Sequence, residues 1–331
     1  MVSLSVNIYR GKLIESKHKI IGIVKNIKGI SLLSTNNDND LIYPRSSIKI
    51  FQAIPFIKSG AKELFSLNSK NIAISCSSHH GENKHLYVLQ EWFKKINIKL
   101  SELNCGVHNP INLKSSNNLL LRGKHPNELH NNCSGKHLGM ISGCIANKIN
   151  HKNYTSFNHP YQKMIRETLE RYTETKILKQ SIGTDGCNAP QYAFPMKNLC
   201  YAMLNIIKER NENNEYSKVL NLLISSINSY PELIGGSKSF DSDIIKITKG
   251  RIFCKGGAEG VLLFADFAKK IGGVIKVIDG NDRARPSAAL KIFSKLNLIS
   301  QKEKKLLKNW QFENIYNHKK IKVGEIKALL K

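Results

Sequence analysis

The stretch YPRSSIKIFQA, residues 43–53, places a lysine inside an apolar run, three residues after a serine. Lysine is seldom buried without a partner, so Lys49 between Ile48, Ile50 and Phe51 needs a reason. Pro44 opens a helix here and Pro55 interrupts the pattern, which predicts a short or kinked helix. Positions i and i+3 share a helix face, so Ser46 and Lys49 would point the same way. An amine in a dry pocket holds its proton less tightly. Once neutral it can accept the proton of a nearby hydroxyl, and the serine becomes a nucleophile. A helix N-terminus adds a positive field that favours both the neutral amine and a developing anion. A chance Ser-x-x-Lys spacing accounts for the pattern equally well when it is taken alone.

Working outward, the N-terminal runs LSVNIYRG, KLIESKHKIIGIVKN and GISLLST are rich in β-branched residues and read as strands. NNDND is a polar loop. After the Ser-x-x-Lys segment, NIAISCSS reads as a buried strand by composition. LYVLQEWFKKINI follows as a helix, with Leu86, Leu89, Trp92, Phe93 and Ile96 at helical spacing. HNNCSGKHLGMISGCIANKI sets a Cys-Ser-Gly turn before a helix, and NHPYQKMIRETLERYT is a second amphipathic helix. SIGTDGCNAPQYAFP reads as a loop, and LCYAMLNIIKER lies in a long helix. Near the C-terminus, RIFCKGGAEGVLLFADF is strand, glycine turn and strand, and GGVIKVIDGNDRARPSAALKIFSKL is strand, turn and helix. There is no internal repeat and no Pro/Ser linker. Strands at both ends with helices between favour one α+β domain over residues 1–331, its sheet closed by the two chain ends.

The 331 residues, 41% of them hydrophobic, suffice for a sizeable core and exclude a disordered chain. The net charge of +26 would attract acidic partners. The lysines, however, run from end to end and do not cluster with aromatics, which argues against a cationic nucleic-acid-binding protein. QKEKKLLK and NHKKIK read as solvated faces of amphipathic helices. No stretch approaches a membrane span. MVSLSVNIYRGKLIES lacks a sustained apolar core, and seven irregularly spaced cysteines show no disulfide framework. The expectation is a cytoplasmic protein with reduced thiols.

Four loops carry chemistry. Ser46 and Lys49 form the first. Cys133 and Lys136 in CSGK, with Cys187 in DGCNAP, offer soft donors suited to zinc, although buried free thiols explain the same spacing. Cys76, Cys105, Cys144, Cys200 and Cys254 read as core thiols. Lys255 before Gly256 and Gly257 could present its amine with little steric cover, or could mark an ordinary hairpin turn. Ser78 and His79 in SSHHGE could supply a hydroxyl and an imidazole, or could cap a helix together with Glu82.

Together, and in this order, YRGKLIES, YPRSSIKIFQA, CSSHHGE, NCGVHNP, NNCSGKHLGM, GTDGCNAPQYAFP, YPELIGG, CKGGAEGV and VIDGNDRARP resemble the Rhizobium-type (thermolabile, type II) L-asparaginases. The resemblance implies a serine β-lactamase or penicillin-binding-protein-like fold. It also implies hydrolysis of L-asparagine to L-aspartate and ammonia. Its Ser-x-x-Lys pair falls on Ser46 and Lys49, its second hydroxyl–amine pair on Ser78 and Lys255. Arg45, His79, Asp185, Gly256 and Gly257 would bind substrate. A zinc site would use Cys133, Lys136 and Cys187, with the metal positioning substrate rather than generating the nucleophile. A homodimer acting on a small molecule, without nucleic acid or membrane, follows from the same resemblance. Ile50 stands where the family has proline, His80 where it has a small residue, and Ser239 where it has arginine. The nearest rival is another Ser–Lys amidase or peptidase of the β-lactamase-like fold.

Overall fold

The β-branched runs at the two ends of the chain pair with each other. In the computed structural model, which describes residues 2–311 and 314–331, eight strands form one antiparallel sheet. Its strands are β1 (Leu4–Arg10), β2 (Leu13–Asn26), β3 (Ser31–Ser34), β4 (Ile252–Gly257), β5 (Val261–Asp266), β6 (Ile271–Val277), β7 (Asn314–Tyr316) and β8 (Lys322–Leu330). The order is β7-β8-β1-β2-β6-β5-β4, with β3 also on β2. The first and last long strands lie side by side, Leu4 opposite Leu330 and Arg10 opposite Gly324. The α+β class and the sheet closed by the chain ends are therefore as the sequence indicated.

The chain divides into two compact units. One holds Met1–Ser47, Phe194–Lys208 and Asp243–Lys331; the other holds Ile48–Ala193 and Glu209–Ser242. The first unit contains the whole sheet. Every residue of β4 and β5 is buried, as continuous apolar runs require. The helix Arg285–Lys295 packs on the sheet, with Phe293 edge-on to Phe264 at 4.8 Å between ring centroids, worth about 0.5–1.5 kcal/mol beyond burial. Gly272 leaves room for the helix Met196–Glu209, since a Cβ there would lie 3.1 Å from the Leu204 nitrogen.

The second unit is mostly helical, and here the structure corrects two readings. NIAISCSS is not a strand: residues Ser69–Ser75 form a helix. Asn68 caps it, accepting from the Lys70 N–H, while Asn71 accepts from the Asn68 N–H. A short apolar run does not separate a buried helix from a strand, and the cap decides. Gly135 then admits the helix Ser134–Ala146 to close range; a Cβ there would lie 2.2 Å from the Ile74 carbonyl oxygen. SIGTDGCNAPQYAFP is not a plain loop either. Ile182–Thr184 pairs with Pro190–Tyr192 as a hairpin, closed by the Asp185 N–H donating to the Ala189 carbonyl, with Asn188 left-handed at φ 64°.

Leu113–Leu121 forms a helix. One further stretch differs from expectation. QKEKKL is helical as read, but NHKKIK is a turn running into β8, because β8 pairs with β1 in register to its end. The kink at Pro44 and Pro55 is present: a 3-10 turn over Arg45–Ile48 leads into helices Lys49–Gln52 and Ile54–Lys58, with Pro55 in the first turn of the latter.

Candidate active site

In the helical unit, Lys49 heads its helix with its side chain sealed inside, 1% exposed. Its Nζ donates to the Ser77 carbonyl oxygen, to Ser78 Oγ at 3.1 Å and to Cys133 Sγ at 3.1 Å. Three acceptors match the three hydrogens of an ammonium. The Ser46 hydroxyl is not among these partners. The sequence placed Lys49 beside Ser46 by helical spacing; the structure places its amine on the second serine.

Ser78 is held from behind. Its N–H donates to the Ile234 carbonyl, and the next residue, His79, is fully buried. His79 Nε2 bonds Ser134 Oγ at 2.9 Å, and its Nδ1 accepts the Gly81 N–H at 3.2 Å. Burial, then the neighbouring His85 and Lys49, push its pKa well below the ordinary imidazole value. The ring is enclosed and ties the Ser78 segment to the start of helix 134–146. Glu82 leads helix 83–96, and its N–H donates to His85 Nδ1.

Cys133 connects this amine to a second cluster. Lys136 Nζ donates to Cys187 Sγ at 3.0 Å, and Cys187 Sγ lies 3.2 Å from Asp185 Oδ2. Donor atoms of Cys133, Asp185 and Cys187 all fall within 4.8 Å of one another. Hydrogen bonding from Cys133 holds the Cys187 thiol down to about 5 against the opposing effect of burial, with the Lys136 ammonium assisting. Cys133 is correspondingly pushed up to about 12 by its bond to Cys187 and by burial. Burial opposes the charge on Lys136, but Cys187, Cys133 and Asp185 outweigh it and raise its pKa. The remaining five cysteines are buried and unpaired by disulfide, as read from the sequence.

A tetrahedral zinc with bonds of about 2.3 Å spans ligand–ligand edges of about 3.8 Å, compatible with the Cys133, Asp185 and Cys187 donors. Lys136 could join them only after losing a proton, since an ammonium has no lone pair. As an ammonium it instead donates to Cys187 Sγ. The donor set fits a zinc ion.

In the sheet unit, Lys255 on β4 is 2% exposed, and its Nζ donates to the Gly256 carbonyl at 2.9 Å. The expectation of an amine with little cover is thus corrected; both faces of this strand are covered. Gly256 and Gly257 serve close approach. A Cβ on Gly256 would lie 2.1 Å from Arg285 Nη1, and one on Gly257 would lie 2.3 Å from the Pro44 carbonyl oxygen. Gly257 therefore seats β4 against the turn that carries Ser46. Ser47 Oγ closes that turn on the Pro44 carbonyl at 2.6 Å, and Arg45 is left-handed at φ 54°, an unfavourable conformation for a residue with a side chain. Ser46 itself is half-buried.

Compared with models of known protein families, the chain matches the one described as L-asparaginase II over residues 6–328. The chain belongs to the L-asparaginase II family. Among solved structures, it is similar to a protein described as a candidate beta-lactamase from Bacteroides dorei, at 8% identity and a TM-score of 0.40, covering 88% of this chain and 93% of that one. No curated protein matches. As an L-asparaginase II family member the chain is an amidohydrolase, and its substrate is a small molecule. Among the described residues, no helix is long and apolar enough to cross a membrane.

Within this asparaginase the helical unit brings together Lys49, Ser78 and Cys133 by hydrogen bonds, and Lys136, Asp185 and Cys187 by hydrogen bonds beside them. The sheet unit brings together Arg45, Ser46, Lys255, Gly256 and Gly257. Two residues escaped sequence reasoning. Arg285 lies over Gly256 while its guanidinium grips Asp282, Nε to Oδ1 at 2.6 Å and Nη2 to Oδ2 at 3.1 Å; the DRARP run held the signal. Gly135, the second residue of helix 134–146, lets that helix approach the Ile74 carbonyl closely.

Proposed function

We propose that this chain hydrolyses the side-chain amide of L-asparagine through an ester on Ser46, with Lys49 as the base. The observation that carries the reading is the buried Lys49 amine in contact with a serine hydroxyl and a thiol network. In its neutral form Lys49 accepts the Ser46 proton as the serine oxygen bonds to the amide carbon. Backbone donors by the turn at 44–47 and Gly257 receive the oxyanion, a contribution of about 3–4 kcal/mol per donor. The C–N bond then breaks, and ammonia leaves with the proton. Water hydrolyses the β-aspartyl ester, and Ser78 with Lys255 relays the second proton. Cys133, Cys187, Asp185 and deprotonated Lys136 would hold zinc. The ion would supply positive charge that orients the substrate's charged ends. We also assign the reaction to one catalytic domain over 1–331, because the family match runs through both units, and we propose a cytoplasmic homodimer without nucleic-acid or membrane partners.

One contact favours a second reading. The Lys49 amine is bonded to Ser78 and not to Ser46, so Ser78 would be the nucleophile if that arrangement persists with substrate. Ser46→Ala and Ser78→Ala decide between them by ammonia release and by mass-spectrometric trapping of the aspartyl ester. Ester on Ser46 supports the first reading, and ester on Ser78 supports the second. Full turnover in both variants refutes the Ser–Lys mechanism.

A further inference from the structure

Ser78 Oγ meets the buried Lys49 amine at 3.1 Å, and His80 follows two residues later. We propose that His80 is a specificity-determining residue, its imidazole donating a hydrogen bond to the α-carboxylate of the substrate. This rests on the reading that the chain hydrolyses L-asparagine, and it adds a group that holds the far end of that substrate.

Residues 77–80 run extended. Successive N–H groups take alternate partners, as in a strand. Those of Ser78 and His80 donate to the Ile234 and Gly235 carbonyls at 2.9 and 2.8 Å, and that of His79 donates to the Asn132 carbonyl at 3.3 Å. Burial alternates with them. Ser77 and His79 are fully enclosed, whereas Ser78 and His80 are half-buried. In an extended chain residues i and i+2 line one face, so His80 presents its ring on the face that carries the Ser78 hydroxyl. The imidazole of His79 faces away, bonded to Ser134 Oγ and to the Gly81 N–H. The Cα atoms of Ser78 and His80 stand about 6.6 Å apart, two strand steps. A four-carbon amino acid whose amide reaches Ser78 brings its α-carboxylate over His80.

The ring is also held in place. The His80 N–H is fixed on Gly235, and its carbonyl accepts from the Asn112 N–H at 2.9 Å, so the backbone is pinned on both sides. The imidazole lies against Gly236: a Cβ on that glycine would stand 2.9 Å from His80 Nδ1 and 3.1 Å from His80 Cβ. Glu82, the acid of the same segment, is engaged by other groups. Its carboxylate accepts from the Ser237 N–H at 2.8 Å and from the Ser237 hydroxyl, and lies 3.3 Å from Lys84 Nζ. An imidazole donates through one nitrogen when neutral and through both when protonated, so it meets a carboxylate in either state. A donor fixed before binding gives up little freedom on binding, which is how preorganised contacts gain affinity.

The test is ammonia release by the full chain from L-asparagine and from aspartic acid diamide, which lacks the α-carboxylate, beside calorimetric titration with L-aspartate. His80→Leu keeps bulk and removes the donor. It should raise KM for asparagine about tenfold, with kcat within about twofold, and weaken aspartate by the same factor, as loss of a charge-assisted bond implies. The diamide should be the poorer substrate of the parent, and its KM should move less than about twofold in the variant, the contact being absent already. His80→Gln, which keeps an N–H donor, should restore part of the loss. Thermal unfolding checks that each variant is folded, and His80→Ala replaces the leucine variant if that one is not. An equal rise in KM for both substrates overturns the proposal, as does an unchanged KM for asparagine or a loss confined to kcat. If the parent binds aspartate through His80 yet releases no ammonia, the reading of the reaction falls and this contact stands. Aspartate binding indifferent to His80 removes the contact whatever the turnover.

Discussion

Lys49→Met separates the chemistry of this amine from its structural part. Methionine keeps the apolar stem and removes three donated bonds, to the Ser77 carbonyl, Ser78 Oγ and Cys133 Sγ. The Ser77 carbonyl loses its donor in a buried setting, at a cost of about 1–3 kcal/mol. Removing an amine that is 1% exposed returns a desolvation penalty of several kcal/mol per ion. The two effects oppose each other, so the variant should fold, with stability within about 2 kcal/mol of the parent. Activity has no such offset. Losing the proton acceptor removes about 10²–10⁴ in rate. Because nucleophile and base act as a unit, Lys49→Met and the serine substitution that matters should cost about the same, and their combination little more. Ammonia release at limiting and saturating asparagine, beside a thermal unfolding curve, measures both. A folded Lys49→Met protein within about tenfold of parent kcat would refute the assignment of Lys49 as base.

Three other outcomes follow from the same geometry. Burial lowers His85 from 6.5 to about 4, with its bond to the Glu232 carbonyl in partial opposition; the unfolded chain then binds more protons between those values, so stability is complete above pH 6.5 and declines by about 3 kcal/mol as pH falls to 4. His79 and His137 act in the same direction, and His85→Gln should flatten the acid limb of a urea-unfolding series; an unchanged slope contradicts it. Gly135→Ala forces a Cβ to 2.2 Å from a backbone oxygen and should lower stability by about 1–3 kcal/mol while weakening metal retention, read by calorimetry and metal content; a variant as stable as the parent sinks the close-packing argument. The purified chain should carry zinc lost in Cys187→Ser, and chelation should raise KM more than it lowers kcat; the reverse split would make the metal the catalyst.

The sheet was legible because its strands announce themselves by composition and its topology follows from strands at both ends. The failures were local contests. Residues 71–74, NIAI, and their neighbours suit either element, and the capping pair Asn68 and Asn71 settles it, a signal lying at the start of the apolar run. The DGCNAP loop became a hairpin because Asn188 accepts a left-handed conformation, a choice no periodicity reveals.

The site was legible for a different reason, and incompletely. Among the described residues three lysines are buried, Lys49, Lys136 and Lys255, and these are the three that the sequence singled out by apolar or glycine-rich surroundings. The other basic residues contribute to the charge of +26 without marking a site. Desolvation distinguishes the two groups: a cation that gives up water must find acceptors, and acceptors in a fold are supplied from distant segments. For Lys49 they come from residues 77, 78 and 133, none within helical reach. Spacing along one helix could therefore identify the amine but not its partner. Local pattern says which side chain is out of place, and only tertiary structure says which hydroxyl it has been moved to meet.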